Sequence, residues 1–101
     1  MTYGYIFLFS NPVHPNVYYF NYSRSNPLDI LKKMNSNEGN VFDFEMVFAK
    51  YVDDYDIKGQ IIESLLHHYD TCVNIEKNFF VVEKSIIQSY FALCNGEWID
   101  I

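Results

Sequence analysis

The chain has 101 residues, half of them hydrophobic and 19% aromatic, and seven Lys and Arg face thirteen Asp and Glu for a net charge of -6. That length fits one domain over residues 1–101, and the apolar content suffices for a compact core, which excludes an intrinsically disordered chain. The acidic balance argues against tight, unassisted nucleic-acid binding, since clustered cations supply most of that affinity, and no apolar run of about 18 residues is present to cross a membrane.

In chain order, Tyr3 to Phe9 is a dense aromatic and aliphatic run that predicts a strand buried on both faces. Asn11-Pro12 and His14-Pro15 signal a loop, because proline biases the preceding residue away from helix. Val17 to Tyr22 predicts a second strand returning antiparallel to the first. Ser25 or Asn26 then caps a helix with Pro27 at its first position. Leu28, Leu31, Met34 and Ile30 form its predicted apolar face, and Asn35 to Asn40 closes it as a polar turn.

Phe42, Phe44, Met46 and Phe48 alternate with Asp43, Glu45, Val47 and Ala49, a period of two that predicts a strand running to Val52. A second helix is expected over Tyr55 to Tyr69, with Ile61, Ile62, Leu65, Leu66 and Tyr69 on one stripe. Asp53, Asp54 and Asp56 at its start read as helix-start acids rather than metal ligands. Glu63 and His67, four residues apart beside His68 and Asp70, lack a third ligand and read as surface or packing residues. Cys72 to Lys77 is expected as a loop, Asn78 to Val82 as a short strand and Glu83 to Cys94 as a last helix. The stripe of that helix is Ile86, Ile87, Tyr90, Phe91 and Cys94; Asn95-Gly96 ends it, and Trp98-Ile99 folds back onto the core. The order β-β-α-β-α-β-α is α+β, a small three-stranded antiparallel sheet flanked by helices on both sides.

Cys72 and Cys94 stand apart from any CxxC or His/Cys cluster and read as buried, reduced thiols. The N-terminal Met1-Thr2-Tyr3-Gly4-Tyr5 lacks the basic leader of a secretory signal, so an intracellular location is expected. The cations are scattered; only Lys32-Lys33, with Arg24 nearby, form a local group.

The order of elements, together with Gly4-Tyr5-Ile6-Phe7, Ser10-Asn11-Pro12, Val17-Tyr18-Tyr19-Phe20, Leu31 to Asn35, Leu65-Leu66-His67 and Asn78-Phe79-Phe80, resembles the GIY-YIG nuclease superfamily. The resemblance spans about residues 3 to 85 and is nearest the branch found in phages and large DNA viruses. It implies a DNA endonuclease dependent on Mg or Mn. Two tyrosines and an arginine would act near the scissile phosphate, and a glutamate would hold the divalent ion.

The chain departs from that pattern at four positions. The first motif's tyrosine falls at Phe7, the second motif's glycine at Phe20, the arginine at Ile30 and the glutamate at Asn78. Asparagine offers an oxygen without the charge a hard cation needs. Tyr18 retains the second motif's tyrosine, Arg24 and Lys33 are displaced substitutes for the arginine, and Glu76 lies two residues from the glutamate position.

The expected function is therefore a catalytically inactive GIY-YIG-like domain, viral in origin, that works as a protein-interaction module. Its partner is a protein or a second copy, with DNA disfavoured by the net charge, and no cofactor and no membrane are expected. Tyr5, Tyr18, Tyr19, Tyr22, Arg24, Lys32 and Lys33 are the candidate binding residues, since interfaces are rich in tyrosine and arginine. This reading predicts a groove filled by Phe7, Phe20 and Ile30. The alternative is a metal-dependent endonuclease with relocated residues Tyr18, Arg24 and Glu76 or Glu63, which predicts a concave, positively lined groove.

Overall fold

The first strand, β1 (Tyr3–Ser10), carries Ile6, Phe7, Leu8 and Phe9 without any solvent exposure, as an uninterrupted apolar run should. The computed structural model describes residues 2–12, 16–36, 44–69, 71–74 and 79–99, with backbone alone for Tyr69 and Thr71–Asn74. After β1 come β2 (Val17–Ser23), α1 (Pro27–Asn35), β3 (Glu45–Asp53), α2 (Tyr55–Tyr69), β4 (Thr71–Asn74), β5 (Phe79–Val81), α3 (Lys84–Ala92) and β6 (Gly96–Trp98). The strands form one sheet of order β4-β5-β2-β1-β3-β6 in which every neighbouring pair is antiparallel.

The α+β class holds, but the expected three-stranded sheet is corrected to one of six strands among the described residues. Thr71–Asn74, which takes in the start of the loop expected over Cys72 to Lys77, pairs with β5, and Gly96–Trp98, past the end of α3, pairs with Lys50–Val52 of β3. Both are three- or four-residue edge strands. Such strands are defined by the neighbour they pair with rather than by a pattern of their own.

Helices cover both faces. On one, Ile6, Leu8, Phe20, Phe48, Val52 and Phe80 pack with Ile62 and Leu66 of α2 and Ile87, Phe91 and Cys94 beside α3. On the other, Phe7, Phe9 and Ala49 pack against Ile30, Leu31 and Met34 of α1, with Tyr5, Tyr19, Phe44, Met46 and Ile99 around them.

The strict alternation expected from Phe42 to Phe48 breaks. Leu8 pairs with Phe48 but Phe9 pairs with Met46, so Val47 is a bulge. Two successive residues then share a face: Val47 and Phe48 both join the α2/α3 side, while Phe44 and Met46 lie on the α1 side. Phe42 and Asp43 lie outside the described residues.

The helices also turn more apolar surface outward than expected. Asn26 is the cap of α1, its side-chain oxygen accepting from Leu28 N–H at 2.9 Å. Leu28 itself is exposed, as are Ile61 on α2 and Ile86 on α3, although each was expected on a core stripe. The α1–β3 connection is closed at its base by Asn35, whose Nδ2 donates to Phe44 O at 3.0 Å while its Oδ1 accepts from Phe44 N–H at 2.8 Å. Trp98 folds back as expected, edge-on to Phe48 and stacked on Phe91 at ring separations of 5.9 and 6.2 Å.

Candidate functional site

The register of β1 against β2 decides what the motif positions can do. Phe7 is opposite Asn21, Leu8 opposite Phe20 and Ser10 opposite Tyr18. Phe7 and Tyr19 therefore face α1, whereas Tyr18, Phe20 and Tyr22 face α2 and α3. Two hydroxyls that serve one phosphate have to project from one face, and the positions at Phe7 and Tyr18 project from opposite faces. Phe7, Phe20 and Ile30 are indeed packing residues, but the expectation that they fill one groove is corrected: Phe7 and Ile30 share one core cluster and Phe20 belongs to the other. Gly4 has a packing role, since a Cβ there would run into the Tyr55 ring at the start of α2. Asn78 and Glu76 lie outside the described residues.

The candidate binding tyrosines divide between the same two faces. The Tyr5 ring tilts against Tyr51 at 5.0 Å, and Tyr51 stacks on Tyr3 at 5.4 Å. Tyr19 lies between Phe9 and Phe79, and its hydroxyl accepts from Asn21 Nδ2 at 2.7 Å. Tyr18 and Tyr22 are partly buried on the opposite side. Burial first, then the charges of Glu63 and Asp56, push the Tyr22 phenol above its ordinary 10.0. Arg24 is exposed before the α1 cap and Lys32 and Lys33 are exposed in that helix's last turn, so the three cations lie toward opposite ends of α1.

The acids around the start of α2 make three different contacts. Asp53 is ion-paired with Lys58, Asp54 takes a positive φ of 46° and accepts from Lys58 N–H at 3.0 Å through its carbonyl, and Asp56 Oδ1 accepts from Ile57 N–H at 2.9 Å. The His67 ring meets Phe80 edge-on at 5.1 Å. Among the described residues no three His, Cys, Asp or Glu stand together in a way that would hold a metal ion, and no helix is long and apolar enough to cross a membrane. Cys94 is a free, buried thiol, held above its usual pKa by that burial.

A different surface emerges on α2. Gly59, Ile62 and Leu66 turn inward, while Ile57 is 57% and Ile61 54% exposed. Leu65 continues that outer line one turn further, and Gln60, Ser64 and His68 complete a shallow groove with them. The six positions recur at intervals of three and four, as one helix face should. The expected single stripe through Ile61, Ile62, Leu65 and Leu66 is thus corrected to two stripes. The signal was present in the sequence: two adjacent apolar pairs four residues apart are too wide for one contact line.

No family model matches the chain, and comparisons with curated proteins and with solved structures give no match.

Proposed function

We propose that this chain is a non-catalytic protein-interaction module, a degenerate relative of the GIY-YIG nucleases whose sheet persists without their chemistry, and that it engages its partner through the outer face of α2. The observation that carries this reading is the pair Ile57 and Ile61, each more than half exposed on one helix face. A contiguous apolar face on a small soluble domain is the usual mark of a docking surface, and anchors spaced by three and four residues are how a helix enters a partner's groove. The burial of Phe7 and Phe20 on opposite faces supports loss of catalysis.

The test places a benzoylphenylalanine photo-crosslinker at Gln60 in producing cells. Protein adducts are expected, and they should vanish when Ile57→Glu and Ile61→Glu are added. Absence of adducts from the wild-type stripe overturns the docking face. Plasmid cleavage with Mg²⁺ or Mn²⁺, abolished by Tyr18→Phe with Glu76→Ala, overturns the loss of catalysis.

A further inference from the structure

We infer that the partner seated on this face is a second copy of the chain, with α2 packed antiparallel on α2 about a two-fold axis passing beside Ile61. The inference rests on the reading of α2 as the docking face and names its occupant.

Charge is the first argument. The chain carries a net charge of -6, so two copies repel wherever their carboxylates meet. The α2 groove is lined by Ile57, Gln60, Ile61, Ser64, Leu65 and His68, with neither a carboxylate nor a lysine or arginine among them. A dedicated basic partner would be held by acidic groups around the anchors. The acids beside this face, Asp54 and Asp56, gather at its first-turn end, and its uncharged middle is the kind of surface on which a second acidic copy docks with least repulsion.

Symmetry is the second argument. An isologous contact has to be self-complementary. With the axis beside Ile61, that residue meets its own equivalent and Ile57 meets Leu65 of the second copy, so the three apolar side chains cover one another. The span from Ile57 to Leu65 is about 12 Å at the α-helical rise.

The ends supply the third argument. Acids gather at the start of α2 (Asp54 and Asp56) and histidines at its last turn (His67 and His68). An antiparallel pair brings His68 of one copy level with Asp54 of the other and sets the two helix dipoles head to tail. A parallel pair would bring acids against acids.

The test is sedimentation velocity and light scattering on the purified chain over about 10–500 µM, where interfaces at the small end of the size range associate. Twice the 12.0 kDa chain mass is expected at the upper end. Ile61→Glu sets two carboxylates face to face on the axis and should return the monomer, whereas Leu93→Glu, at an apolar residue 78% exposed elsewhere, should leave the dimer intact. Ile57→Lys and Leu65→Glu are each expected to dissociate the dimer. Combined, they should restore it, since the antiparallel register sets the lysine of one copy against the glutamate of the other.

A wild-type chain that stays monomeric over the whole range overturns the inference, as does a dimer that survives Ile61→Glu. A well-folded double variant that stays monomeric overturns the antiparallel register. Should the chain be monomeric while the Gln60 crosslinker still captures protein in cells, the second copy is wrong and the docking face stands. If both fail, both readings fall.

Discussion

Lys50 Nζ, on β3, donates to the carbonyl of Phe91 in α3 at 3.1 Å. The same ammonium donates to the carbonyl of Cys94 and lies 4.7 Å from the centre of the Trp98 ring. Lys50 is only 4% exposed, and it joins the Cys94 N–H on the Phe91 carbonyl and reaches the Cys94 carbonyl just past the end of α3. Lys50→Met should cost about 1–3 kcal/mol, because the buried bonds to the Phe91 and Cys94 carbonyls are lost, measured as a lower denaturation midpoint at unchanged m-value. Burial holds the Lys50 ammonium below its ordinary 10.5. The folded chain therefore releases this proton more readily than the unfolded chain. Wild-type stability relative to Lys50→Met should rise as pH climbs from the folded value through 10.5.

Gly59 reverses an ordinary rule. Alanine in place of glycine inside a helix normally stabilises by about 1 kcal/mol. Here a Cβ would enter the ring of Tyr22 on the facing strand. Gly59→Ala should therefore destabilise by about 1–3 kcal/mol, the usual range for overpacking. In a Tyr22→Ala background the same change should become neutral or stabilising, and thermal melts of the four chains close the cycle.

The Asp53–Lys58 pair predicts an acid-side effect. The hydrogen bond from Lys58 holds the Asp53 carboxyl below its ordinary 3.8. A carboxyl with a lowered folded pKa contributes stability above its unfolded value and loses it as pH falls through the folded one. Asp53→Asn should lower stability by a pH-independent amount above pH 3.8 and flatten the profile below that value. Urea titrations across that window check the slope.

On the alkaline side, Tyr22 should be among the last phenols to ionise, since burial raises its pKa and Glu63 and Asp56 add to the shift. Absorbance at 295 nm, compared with Tyr22→Phe, isolates its titration. Glu63→Gln should move the midpoint toward 10.0. A group with a raised folded pKa stabilises below its unfolded value, so this contribution fades as pH rises from 10.0 through the folded midpoint.

Much of the architecture was legible. An unbroken apolar run made β1 central, Asn26-Pro27 marked a helix start, and helices on both sides followed from a strand buried on both faces. What escaped were features set by partners. Thr71–Asn74 and Gly96–Trp98 are strands only because β5 and β3 lie beside them, and Ile61 is exposed because α2 offers Ile62 and Leu66 to the sheet instead. The motif positions were readable as residue types, but their facing was not. Whether Phe7 and Tyr18 share a face depends on the pairing of Ser10 with Tyr18, which no local pattern encodes.

The bulge at Val47 bears on how this sheet finds its alignment. A strand with one apolar face is punished for slipping by a residue, since the slip turns oily side chains to water. β1 is apolar on both sides, so a slipped pairing still buries greasy surface and makes a plausible trap. A single extra residue that fits only between the partners of Leu8 and Phe9 breaks that degeneracy. It works as a detent: the strands can slide, but they lock at one position.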